Sequence, residues 1–128
     1  MLEIAKSYPD TGIFQKDIAE NQNISVKYLD HIIQALKVAG LITNVKGKKS
    51  GYTLSKEPEK ITLYDIHHAF EPGICVIDCL SESVHCDRQK GCTTRGFWSD
   101  LNNMIKEYLK SVTLQDLVDN EHYVNEIE

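Results

Sequence analysis

Long apolar runs are missing from this chain of 128 residues. No stretch approaches the roughly 18 consecutive apolar residues that a membrane-crossing helix requires, and the N-terminus lacks the basic-then-apolar order of a secretory signal. Both absences point to a cytoplasmic protein with no membrane partner. Internal repeats and low-complexity segments are absent as well. No glycine-rich phosphate loop, no nucleophile beside a base and no pair of facing carboxylates stands out, so the chain does not read as an enzyme. A hydrophobic fraction of 41% with 26% charged residues excludes a disordered chain and leaves an ordinary globular one, with a length that suits one domain plus an appended element.

Charge is unevenly spread beneath the net value of -5. Residues 1–56 hold eight lysines against five acids, whereas residues 57–128 hold six basic and fourteen acidic side chains. A modestly basic N-terminal half is able to face phosphate, and the acidic half would be repelled by it.

The N-terminal half has the order of a DNA-binding module. Leu2 and Ile4 or Ala5 mark the inward side of a short helix that ends at Tyr8-Pro9. Gln15 to Asn21 is a compact second helix, and Ser25 is a good N-cap for a third. From Val26 to Ala39 the apolar positions Val26, Leu29, Ile32, Ile33 and Leu36 recur at helical spacing, and Gly40 supplies the C-cap. The other face carries Lys27, Asp30, His31, Gln34 and Lys37. Two helices joined by a tight turn, the second with a long polar face, form a helix-turn-helix in which the second helix reads a groove.

Two β-favouring runs follow, Leu41 to Val45 and Tyr52 to Leu54. Between them lies Lys46-Gly47-Lys48-Lys49-Ser50-Gly51, with three lysines and two glycines. A basic hairpin directly after a reading helix is a wing: its glycines allow close approach to a backbone and its lysines meet phosphate. The candidate DNA-binding residues are Lys27, Asp30, His31 and Gln34 on this face and Lys46, Lys48 and Lys49 on the wing, with Ser25 and Tyr28 beside them at the start of the helix. The fold class expected is mainly α with a small β-hairpin wing, completed by a long C-terminal helix.

Residues 1–70 make the winged helix-turn-helix domain, closed by a helix from Leu63 to Phe70. Residues 71–92 are a cysteine-bearing loop. Residues 93–128 contain a helix from Thr93 or Thr94 to about Ser111, then a short helix from Leu114 to Val118 and a loosely ordered acidic tail. Along the long helix Phe97, Leu101, Met104, Ile105, Tyr108 and Val112 form an apolar stripe that a domain of this size has no means to cover. A second copy, packed helix on helix, is the expected cover.

All four cysteines, Cys75, Cys79, Cys86 and Cys92, fall within eighteen residues at C-x3-C-x6-C-x5-C spacing. In a reducing compartment clustered thiols bind metal or sense redox state more often than they form structural disulfides. Three chemistries fit. Thiolates in a polar loop are iron-sulfur ligands. Zinc usually takes two closely spaced pairs, and here only Cys75 and Cys79 qualify. A cluster-free sensor would use a reversible disulfide. Cys75 sits among apolar neighbours and reads equally well as a small buried residue. His85, His67 and His68 are further, weaker ligand candidates.

Taken together, Ser25-Val26-Lys27-Tyr28-Leu29, Leu36 with Ala39-Gly40-Leu41-Ile42, the wing from Lys46-Gly47 to Gly51-Tyr52-Thr53-Leu54, Cys79, Cys86 and Cys92, Trp98 with Leu101, and Thr113-Leu114-Gln115-Asp116-Leu117 resemble the Rrf-two family of bacterial winged-helix regulators. The resemblance covers nearly the whole chain in order. It implies a homodimer joined through the long helix, with recognition helices in successive major grooves of double-stranded DNA. Lys27, Tyr28, Asp30 and His31 would reach base edges and Lys46 would sit on the wing. An iron-sulfur cluster, 2Fe-2S or 4Fe-4S, would be held by Cys79, Cys86 and Cys92 and would set operator binding. Some members are cluster-free or act as adaptors that hold a protein partner, which is the alternative reading.

Two departures stand against the family pattern. Family chains begin earlier, with a basic segment that touches DNA and, in some members, supplies the fourth ligand. The histidine that other members place three residues after the last cysteine is Arg95 here. If the N-terminal segment is what supplies the ligand, the expectation is that this form holds its cluster poorly or not at all.

Overall fold

Ser25 turns the chain into its best-formed early helix. Its hydroxyl accepts from the Tyr28 amide at 3.1 Å, satisfying one of the free N–H groups at the start of α3 (Val26–Val38). Leu29, Ile33 and Leu36 of α3 are buried, each under 5% exposed. Gly40, at φ 73°, supplies the left-handed residue just past the helix end. Val26, expected on the inward face, is 49% exposed instead. It is the first residue of the helix and its side chain lies beyond the packed part of the face.

The computed structural model describes residues 1–48 and 51–127, with side chains through residue 120. Before α3 come α1 (Leu2–Lys6), β1 (Ile13–Phe14) and α2 (Gln15–Asn21). After it come β2 (Ile42–Asn44), β3 (Gly51–Leu54), α4 (Leu63–His68), α5 (Arg95–Ser111) and α6 (Leu114–Ile127), with single 3-10 turns at Pro58–Lys60 and Asp78–Leu80. Among the described residues no helix is long and apolar enough to cross a membrane.

The wing belongs to a three-stranded antiparallel sheet of order β1-β3-β2, not to an isolated hairpin. Ile13 pairs with Tyr52 and Phe14 with Gly51, while Ile42, Thr43 and Asn44 face Leu54, Thr53 and Tyr52. Two residues of β1 are too few to show strand alternation, which is why the sequence pattern hides them. Gly12 admits β1 to this position. At φ +67° it stands where a Cβ would lie 2.8 Å from the Tyr52 carbonyl oxygen.

One core joins the two ends of the chain. Ile4 and Ala5 of α1, Ile18 and Ala19 of α2, the α3 face, Leu41, Ile42, Tyr52 and Leu54 enclose Ile61 and Leu114, both wholly buried. Leu114 reaches this position because α4 and α6 start side by side. Thr62 and Asp65 form a reciprocal cap on α4 at 3.0 and 3.1 Å, and Thr113 and Asp116 form another on α6 at 2.8 and 3.1 Å. Between the caps, Leu63 donates to the Val112 carbonyl at 2.9 Å and Leu114 to the Ile61 carbonyl at 2.7 Å. The α6 helix runs to Ile127, well past the short helix expected, and its sequence contains no glycine or proline to end it sooner.

The long helix α5 has 17 residues and spans about 26 Å at 1.5 Å per residue. Its apolar stripe is bare: Phe97 is 76% exposed, Met104 68% and Tyr108 67%, with Leu101 and Trp98 near 40%. At the other end, Lys110 lies over the Tyr64 ring at 4.9 Å and anchors α5 to α4.

Candidate nucleic-acid interface and cysteine loop

The polar face of α3 forms because its apolar positions are consumed by the core. Ser25, Lys27, Tyr28, Asp30, His31 and Gln34 are all exposed, and by helical spacing Lys27, Asp30, His31 and Gln34 share one side. Asp30 is not free in the way its neighbours are, because one of its carboxylate oxygens accepts from the Gln15 side-chain amide. Gln15 is 8% exposed, and its amide also reaches the Val26 carbonyl at 3.4 Å. A buried polar group costs free energy unless it is bonded, and here the bonds hold α2 against the first turn of α3. The helix-turn-helix angle therefore rests on a side chain that the sequence pattern did not single out.

On the wing, Lys46 and Lys48 are exposed, while Lys49 lies outside the described residues. The Lys48 amine sits 5.3 Å from the centre of the Phe14 ring, a cation-π contact that ties the turn to β1. Lys37 makes a similar contact with Tyr52 at 5.9 Å and is half-buried, which sets it apart from the exposed polar side chains of α3.

The cysteine loop hangs between α4 and α5 by a few specific bonds. Ile74 is buried at 9% and roots it. The Val76 amide donates to the side-chain oxygen of Asn102 at 3.0 Å, and Arg95 donates from its guanidinium to the Cys79 carbonyl at 2.8 Å. All four thiols are free: Cys75 and Cys92 are exposed, and Cys79 and Cys86 are half-buried. The exposure of Cys75 removes the reading of it as a packed core residue. His85 is exposed and lies 3.4 Å from exposed Asp87, and His68 stacks on Tyr64 with ring centres 5.8 Å apart. Neither histidine is directed at the cysteines by these contacts.

The acidity of the Cys92 thiol is tuned by its neighbours. The Thr94 hydroxyl at 3.5 Å, the backbone amides of Thr94 and Arg95, and the Arg95 charge hold its pKa below the ordinary thiol value. These groups belong to the start of α5, where free N–H groups favour an anion. Among the described residues no three histidines, cysteines or acids are drawn together closely enough to hold a metal ion. The donor set still suits a soft metal centre: Cys79, Cys86 and Cys92 are thiols free of disulfides on a loop that lies outside the α-helices and the sheet. Arg95, at the position of a possible fourth ligand, spends its guanidinium on the loop backbone.

Asn102, like Gln15, escapes pattern reading, and Thr94 was expected only as a start of the long helix. The available signal was an asparagine, a weak helix former, inside an otherwise amphipathic helix.

A capped helix behind a turn, followed by a basic three-stranded wing and a long bare helix, defines a winged-helix DNA-binding protein of the kind that regulates transcription. The chain belongs to the Rrf2 family, described as iron-dependent transcriptional regulators, which matches residues 1–120. It is 36% identical over 118 residues to the protein rrf2 of Nitratidesulfovibrio vulgaris, covering 92% of this chain and 79% of that one. Its fold is similar to that of CymR, titled the global cysteine regulator of B. subtilis, with a TM-score of 0.77 and 32% identity over 93% of this chain and 87% of that one. It is also similar to the T. potens IscR structure, with a TM-score of 0.73 and 30% identity over 94% and 78% of the two chains. The protein is thus a transcriptional regulator with a DNA-binding fold and not an enzyme.

Proposed function

We propose that the protein acts in the cytoplasm as a homodimeric regulator whose affinity for operator DNA is set by chemistry at Cys79, Cys86 and Cys92. The observation that carries this reading is the placement of free thiols on a loop that joins the winged-helix body to α5. In this reading residues 1–70 bind DNA, 71–92 sense and 93–128 pair. Ser25 fixes the start of the reading helix; Lys27, Tyr28, His31 and Gln34 face base edges; Lys46, Lys48 and Lys49 meet phosphate. Asp30 serves chiefly as the partner of Gln15, with one oxygen left for cytosine N4. The bare stripe Phe97, Leu101, Met104 and Tyr108 pairs with its copy, setting the two reading helices about one turn of DNA or a multiple of it apart.

An iron-sulfur cluster, when bound, supplies a redox-active centre whose gain or loss changes how the thiolates are held together. Cys79, Cys86 and Cys92 are the residues that would hold it, and Arg95 would not. A cluster-free version of the same regulator is the second reading. It is favoured by the exposed position and tuned acidity of Cys92, and in it two of these thiols form a reversible disulfide.

An anaerobic preparation, with iron, sulfide and zinc counted per subunit and a visible spectrum recorded, separates the two. Iron with sulfide and visible absorbance supports the cluster; a metal-free protein whose thiols oxidise reversibly supports the second reading; zinc alone contradicts both. Binding to a duplex selected by the protein from a random pool should weaken steeply as salt rises. An adaptor contact made through apolar surface would not.

A further inference from the structure

Among the described residues two polar side chains are buried, Gln15 and Asn102, at 8% and 6% exposure. Gln15 braces the helix-turn-helix. Asn102 braces a different joint. It lies seven residues after Arg95 on α5, about two helical turns, so the two side chains share one side of the helix. Phe97, Leu101, Met104 and Tyr108 follow one another at intervals of four, three and four residues and run along the far side, which is bare.

Both shared-side residues bond to the backbone of the same short segment. Asn102 accepts from the Val76 amide at 3.0 Å and Arg95 donates to the Cys79 carbonyl at 2.8 Å. The segment 76–79 is thus tied to α5 at both ends without use of any loop side chain, and the Cys79 thiol remains available for chemistry. A buried asparagine is a costly way to fill space, since a leucine would pack there with no partner to satisfy. Its amide oxygen holds the chain three residues before the first of the three proposed sensing cysteines.

We infer that Asn102, assisted by Arg95, is the positioning residue that couples the chemical state of the cysteine loop to α5, and through the apolar face of α5 to the pairing of two copies. The inference rests on the sensor reading above. Movement of Cys79 pulls on α5 through these two bonds, and movement of α5 shifts one bound copy against the other. With the bonds removed, the loop changes state and α5 does not follow.

The test uses the full chain in a Cys75→Ser background, so that N-ethylmaleimide reacts at Cys79, Cys86 and Cys92. Affinity for the selected duplex is measured before and after modification, and the ratio is the readout. The unaltered clamp should give a ratio of at least tenfold. Asn102→Ala should bring it within twofold of one, Asn102→Asp, which keeps an acceptor, should retain most of it, and Arg95→Gln should lower it at least threefold. A merely structural asparagine would weaken both states by the same factor and leave the ratio intact, which overturns the inference alone. A ratio near one with the clamp intact overturns the sensor reading and the inference together. Should Asn102→Ala fail to fold by circular dichroism, Arg95→Gln decides: an unchanged ratio overturns the coupling.

Discussion

Met104→Glu places a carboxylate in the middle of the bare stripe of α5. Met104 is 68% exposed in the single chain, so a symmetric contact would remove about two-thirds of its surface from water. Full burial of such a side chain contributes roughly 2 kcal/mol, which makes the loss about 1.4 kcal/mol per copy and ~3 kcal/mol per dimer. Each 1.4 kcal/mol is about tenfold in an equilibrium constant, so the dimer dissociation constant should rise at least about a hundredfold. Facing carboxylates would add to that. Sedimentation velocity across a concentration series measures it directly, with circular dichroism confirming that helix content is unchanged, since the side chain makes little contact within its own chain. The reasoning is refuted if the unaltered protein is monomeric throughout the series, or if Met104→Glu dimerises as strongly as the parent.

Four further outcomes are expected. Gln15→Ala leaves the Val26 carbonyl and Asp30 without their partner and should cost about 1–3 kcal/mol in urea unfolding, with a further loss of DNA affinity at temperatures where the variant is fully folded. Ser25→Ala removes the cap of α3 and should cost about 1 kcal/mol, while Ser25→Asp should restore most of it. Thr94→Val removes the hydroxyl that most favours the Cys92 thiolate, so the pH at which iodoacetamide labels Cys92 at half its maximal rate should move upward, as mass spectrometry of the labelled peptide will show. Lys46→Ala on the wing should weaken binding evenly across sequences and flatten the salt dependence by about two units of slope, one for each copy in the dimer, whereas Lys27→Ala should also relax specificity at one base pair of each half-site, as a selection repeated with each variant will reveal.

Elements driven by long-range apolar periodicity were legible in the sequence. The helix α3, the compact α2 and the long α5 lie where spacing, Ser25 and Gly40 placed them. Both wing strands were legible from their β-branched and aromatic residues flanking a glycine-lysine loop. The two-residue strand β1 was not, because it is defined by its pairing with Tyr52 and Gly51 and not by its own pattern. The length of α6 was missed because polar residues after Val118 read as tail, although the Thr113 and Asp116 cap was sufficient to start a helix that nothing in its sequence stops. The exposed face of the site could be enumerated from residue types. Its supports could not: Gln15 matters through two hydrogen bonds, to residues 11 and 15 positions away, and Thr94 and Asn102 through single ones to residues 2 and 26 positions away. No periodicity encodes such partners.

The claim that the cysteine loop governs DNA binding is tested most directly by one comparison of affinities for the selected duplex. Protein prepared without oxygen is titrated before and after oxidation by diamide, beside a variant carrying Cys79→Ser, Cys86→Ser and Cys92→Ser. The account predicts at least a tenfold difference between the two states of the unaltered protein and a single affinity for the variant under both conditions. If the variant matches the anaerobic parent and neither responds to oxidation, the loop does not govern binding and the account is wrong.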